Sequence, residues 1–201
     1  MKKLLLVPIL AFIAFATGTG SIEKKERKFA KDFLKETKSD LVKSVKGLSE
    51  AQLKFKAAPE RWSVEDCMKH IAAAEMGLRQ FLDNNLKEPA TPDKRAEVKV
   101  ADEDLIKMIE NRTMKAQAPK ELRPENTPFK SADEALTSFK NNRDKLIEFV
   151  KNTKDDLRNH VFDLPFGKID GYQMVLFISA HSNRHTQQIK EVMNDPNFPK
   201  Q

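Results

Sequence analysis

Apolar residues recur three and four positions apart through most of this 201-residue chain, and no stretch keeps the two-residue alternation of a half-buried strand. That spacing restricts the chain to packed amphipathic helices. Phe29, Phe33, Leu41, Val45 and Leu48 fall mostly on one face of a first helix over residues 22 to 47. Leu48 to Arg61, containing Pro59, reads as a turn-like stretch. Ser63 followed by Asp66 has the form of a capping box with Asp in the usual Glu place, and Trp62 is positioned as a hydrophobic staple. The second helix runs from there to about Leu86, with Cys67, His70, Ile71, Ala74, Leu78 and Phe81 facing inward.

Residues 87 to 130 hold five prolines and one short helical candidate from Asp102 to Arg112. A connection this long inside a compact domain is functional or covers something. Ser131 and Glu134 form another capping box, opening a third helix with Ala135, Leu136, Phe139, Leu146, Phe149 and Val150 inward. Pro165, Gly167 and Gly171 break the chain again. Asp170, with Gln173 three residues on, caps a last helix that reaches about Asn194. The expected fold is all-α: a four-helix bundle with a long crossover between helices 2 and 3, spanning residues 21–195 and followed by a short tail at 196–201.

Met1-Lys2-Lys3, the apolar run Leu4 to Ala16 and the small residues Thr17 to Ser21 have the layout of a secretory signal peptide over residues 1–20. The run is short of the ~18 apolar residues that span a bilayer, and Pro8 interrupts it, so no stable membrane span is expected after cleavage. The expected location is exported, periplasmic or secreted. A single cysteine excludes an intrachain disulfide framework and a Cys-rich zinc module. The formal charge is +6, or +4 without Lys2 and Lys3, and the signs alternate along the chain. Mixed charge of this kind belongs to solvated helix faces, so nucleic acid is not an expected partner. A small-molecule substrate is, and a homodimer is allowed.

Of four histidines, three fall inside expected helices. His181 and His185 are four apart and project from one helix face, and His70 lies on the inward stripe of helix 2. Metal sites in bundles are built from side chains on facing helices, so these three could hold a divalent ion with a position left for water or substrate. They could equally be core histidines bonded to their neighbours. His160 reads as a solvated loop residue. Cys67, one turn before His70, is either a soft fourth ligand or a small buried packing residue, the latter being the commoner state of a free cysteine. Arg184 points to a pocket rim, where it would hold an anionic group, or is a solvated or salt-bridged helix residue. Gln188 either orients a ligand or sits at the bundle edge.

Longer stretches around these histidines carry a resemblance. Trp62-Ser63-Val64-Glu65 followed by His70 and Glu75, and His181-Ser182-Asn183-Arg184-His185-Thr186-Gln187-Gln188-Ile189, resemble the second-helix and last-helix signatures of the DinB-like family. Ala118 to Pro124 and Phe166 to Gly171 are similar to linking segments in one branch of it. The resemblance covers roughly residues 22 to 194. It implies a four-helix bundle and a metal site of His70, His181 and His185. Many relatives have a second His where Arg184 stands, and Arg-Gly where this chain has Thr186-Gln187.

An all-nitrogen site suits zinc or nickel first, with iron or copper also admitted, and excludes an oxygen-loving ion such as magnesium. The expected function is that of an exported metal-dependent hydrolase or transferase, the alternative being a non-catalytic metal-binding or interaction bundle. Binding is expected to fail on acidification through about pH 6.5, where an ordinary imidazole protonates.

Overall fold

The computed structural model describes residues 21–114 and 117–200; the leader read at residues 1–20 lies outside them. Four long helices make the bundle: α1 (Lys24–Val45), α3 (Val64–Asn85), α5 (Ala132–Asn152) and α6 (Gly171–Met193). Two short helices, α2 (Glu50–Lys54) and α4 (Asp102–Glu110), and a two-stranded antiparallel hairpin, β1 (Val161–Leu164) with β2 (Gly167–Asp170), complete it.

Local chemistry starts all four long helices, and at α1 Glu23 N donates to the Glu26 carboxylate. Ser63 accepts from Asp66 N while Ser63 N donates to the Asp66 carboxylate, closing the capping box of α3. Asp170 and Gln173 close the same box at α6. At α5 the box is half formed: Ser131 Oγ accepts from Glu134 N, but the Glu134 carboxylate turns back to Lys130 N. Two features differ from the expected elements: a short helix and a small hairpin. The stretch after Leu48 is not simply a turn, because Ser49 and Gln52 form a reciprocal cap that starts α2. The hairpin was illegible because each strand is only four residues long. Gly167, at φ +127°, takes the turn conformation that follows Pro165 and Phe166. Phe29 and Phe81, expected inward, are instead 47% and 37% exposed at the bundle edge, while Ala30 and Leu34 hold the buried stripe of α1.

Contacts give the directions. Arg79 of α3 lies over the Phe149 ring of α5 near the ends of both helices, and Val64 and Ala132 share one apolar cluster at their starts, so α3 and α5 run parallel. Tyr172 Oη donates to Glu26 O, and Thr37 meets Ser179 at 2.9 Å, so α1 and α6 are parallel as well. The two pairs oppose each other. Because α5 repeats the direction of α3, the chain must travel back a full helix length, about 33 Å for 22 residues, before starting it. This is why the crossover is long. Within it α4 lies along α6, held at its start by Arg158 on Asp102 and by Gln173 on the Val100 carbonyl.

The core forms two apolar clusters. One includes Leu34, Leu82, Leu146 and Met174, the other Leu41, Cys67, Phe139 and Ile189. Between them lies a polar layer. Arg143, wholly buried on α5, makes two bonds to the Glu75 carboxylate of α3 at 2.6 and 2.7 Å. It also donates to Leu34 O and Thr37 of α1 and to Ser182 of α6. All five guanidinium N–H groups are therefore used, on all three other long helices.

Candidate metal centre

His70 leaves α3 toward α6, where His181 and His185 lie one turn apart. One ring nitrogen from each of the three lies within 4.8 Å of the others. His70 Nε2 and His181 Nε2 are 3.3 Å apart. Two nitrogens each 2.0–2.1 Å from one ion at a tetrahedral angle stand about 3.3–3.4 Å apart, so this spacing fits a shared ion. The outer nitrogens of two rings are occupied. His70 Nδ1 is 2.7 Å from the Leu122 carbonyl, which accepts only from a protonated nitrogen. His185 Nδ1 is 2.9 Å from Gln188 Oε1. Protons on Nδ1 leave Nε2 of both rings as a lone-pair donor facing the centre, the usual arrangement around a metal-ligating histidine.

Burial keeps these rings neutral. It pushes His70 below the ordinary imidazole range, against the Leu122 bond, which acts the other way. His181 is lowered to about 3, first by burial and then by its neighbours His70 and Arg184. His185 lies well below the usual value, by burial and by the two facing imidazoles. Neutral imidazoles are the ligating form.

Gln188 thus orients His185. Arg184 is not free at a pocket rim: its guanidinium donates to the carbonyls of Ile109, Asn111 and Met114 and so caps the end of α4. Cys67 is fully buried in the second apolar cluster, outside the histidine group, and burial pushes its thiol pKa up. His160 is not a solvated loop residue. It is buried, with its ring nitrogens 2.8 and 3.0 Å from the carbonyls of Asp156 and Glu88, and it ties the start of the crossover to the segment before β1.

Sequence reasoning assigned no role at the site to four residues. Trp62, read as a staple and as the first residue of the second-helix signature, lays its ring 4.9 Å from His70 and 5.9 Å from His185. Trp62 also lines a cavity of about 310 Å³ together with Lys56, Glu60, Arg61 and Lys69. Leu122 acts through its carbonyl, which no side-chain pattern reveals. Arg143, and Glu75, which the second-helix signature contained without a role, lie on buried helical stripes with Phe139 and Leu146 and with Ile71 and Leu82, and a charge on each stripe was the available signal.

Residues 34–189 match the DinB superfamily. The chain belongs to the DinB superfamily. Among its relatives is the uncharacterized protein YuaE of Bacillus subtilis (strain 168), 26% identical over 149 residues, which cover 74% of this chain and 87% of YuaE. The fold is similar to that of YfiT from Bacillus subtilis, described as a probable metal-dependent hydrolase with an unusual four-helix bundle topology. That match has a TM-score of 0.60 at 16% identity and covers 89% of this chain and 92% of YfiT, so the likeness is one of fold. The DinB bundle expected from the sequence is thus present, with its three histidines brought together between α3 and α6.

Proposed function

We propose that this DinB superfamily protein binds one divalent metal ion through His70, His181 and His185 and uses it in hydrolysis or group transfer on a small molecule. The observation that carries this reading is the convergence of three imidazoles, with the Nδ1 of His70 and of His185 held by an oxygen acceptor so that Nε2 faces the centre. The fold neighbour YfiT, described as a probable metal-dependent hydrolase, supports the same reading. Three nitrogen ligands suit zinc or nickel, and availability decides between these and iron or copper. A divalent ion held there would lower the pKa of water to about 7 and so would supply a nucleophile at neutral pH. The chain's own residues do the rest. Leu122 O and Gln188 fix two ring orientations, Trp62 covers His70 and His185 on one side, and Arg184 holds the end of α4 against α6.

The basic, apolar and small-residue zones of residues 1–20 support export as part of this proposal. N-terminal sequencing of protein from fractionated cells is expected to start between Thr17 and Ile22, and a start at Met1 or Lys2 refutes export. The metal is tested on protein purified without chelator. One ion per chain is expected, lost in His185→Ala. No stoichiometric ion, or an equal content in the variant, refutes the centre.

A further inference from the structure

Seven residues beyond His70 on α3 stands Gly77. Seven steps turn a helix by about 700°, so Gly77 occupies nearly the same face as His70, two turns away. Among the described residues, nothing outside its own stretch of helix lies within 4 Å of where a Cβ would stand there. Phe81 returns to that face one turn further, 37% exposed, its ring edge-on to Phe162 at 5.5 Å. Antiparallel beside it, α6 leads away from His181 through Phe177, whose ring stacks 6.0 Å from His181 and 5.6 Å from Phe166. Phe166 projects from the hairpin turn and is 43% exposed. Gly77 and Phe81 are thus exposed on the face of α3 that carries His70, and on the adjoining α6 the Phe177 and Phe166 rings lead away from His181.

Access to the histidines agrees with this layout. His70 and His185 are buried and carry against them the ring of Trp62, which also lines the charged cavity. His181 is the least buried of the three, and its ring adjoins Phe177. The geometry points to an apolar substrate groove. It runs from His181 and His70 between Gly77 and Phe177 toward Phe81 and Phe166, and it receives an uncharged alkyl or aryl group while the reacting end lies at the three histidines. The groove gives the metal reading a substrate class and rests on that reading. From His70 to Phe81 the helix rises about 16 Å, enough for an extended chain.

Acetohydroxamic and octanohydroxamic acid share a metal-binding head and differ only in the tail. Calorimetry on zinc-loaded protein is expected to show the octanoyl compound binding at least tenfold tighter. Gly77→Leu fills the groove and should bring that ratio close to one while leaving acetohydroxamate within about twofold. The variant should fold, since Leu is a better helix former than Gly and meets open space. Phe166→Ser should lower the ratio as well. A wild-type ratio near one, or a ratio that survives Gly77→Leu, overturns the groove. If zinc does not load and neither compound binds, the metal reading fails separately, and octan-1-ol with metal-free protein then decides the groove. NMR shifts at Phe81, Phe166 and Phe177 that vanish in Gly77→Leu support it, and their absence refutes it.

Discussion

His70 and His185 each present one nitrogen to an oxygen acceptor and the other to the centre, so a ligand and its orienting partner are separable by mutation. In a zinc titration at neutral pH, Gln188→Ala should weaken binding about 10–100-fold, the usual loss for an orienting group. Each of His70→Ala, His181→Ala and His185→Ala should weaken it far more. If the four variants bind alike, the site lies elsewhere. The depressed histidine pKa values change the acid limit expected from an ordinary imidazole. Protons compete for these rings only below pH 6.5, so metal should be retained further into acid than that value suggests. For the metal-free protein the sign is fixed. Below about pH 6.5 the unfolded chain takes up protons that the folded rings refuse, so the melting temperature should fall on acidification from pH 7 to 5. His185→Gln should flatten that slope, and an unchanged slope rules out His185 as a source. Spacing alone made the His181–His185 pair and the inward side of His70 readable. It could not show that Arg184 is spent on three carbonyls, because those acceptors lie at least 70 residues away.

Helix starts were the most legible elements, since a cap is a contact between residues three apart. Ser63→Ala removes one cap bond of α3 and should cost about 1 kcal/mol. Asp170→Ala should cost clearly more. Its carboxylate accepts from Gln173 N and also from Arg158 and Arg95, so one substitution loosens the start of α6 and leaves two guanidinium groups short of a partner. Denaturant melts of the two variants check the order, and equal losses would mean that the ion pairs contribute nothing. The hairpin and α2 escaped notice because four or five residues are too few for a period to register. Gly171, which reads as a breaker, opens α6 instead. Its N–H donates to Leu157 O at 2.8 Å, and a Cβ there would stand 2.9 Å from that oxygen.

Across the whole molecule, the buried Arg143–Glu75 pair joins the two apolar clusters and lies one residue from His181 through Ser182. Glu75→Leu leaves a buried guanidinium without its carboxylate and should cost about 3–5 kcal/mol. The double variant Glu75→Leu with Arg143→Met should recover much of that loss, because the cost lies in the unpaired charge. If the double variant is no more stable than the single, the pair is not the reason for the loss. Removing metal is a milder perturbation: two apolar clusters persist without it, so chelator-treated protein should keep its helical circular dichroism and lose only part of its melting temperature. Loss of the helical signal would show that the ion holds the bundle together.

Taken alone, the sequence determined the four long helices, the caps of three of them, the existence of a long crossover and the three histidines, because periodicity and capping are short-range properties. Tertiary structure decided which helices run parallel, and with that why the crossover must be long. It also placed Trp62 and the Leu122 carbonyl against the histidines, buried the Arg143–Glu75 pair and left space beside Gly77. Each of these depends on groups brought together from distant parts of the chain, and a ring, a carbonyl or a vacant helix face carries no mark in the sequence of what will stand opposite it.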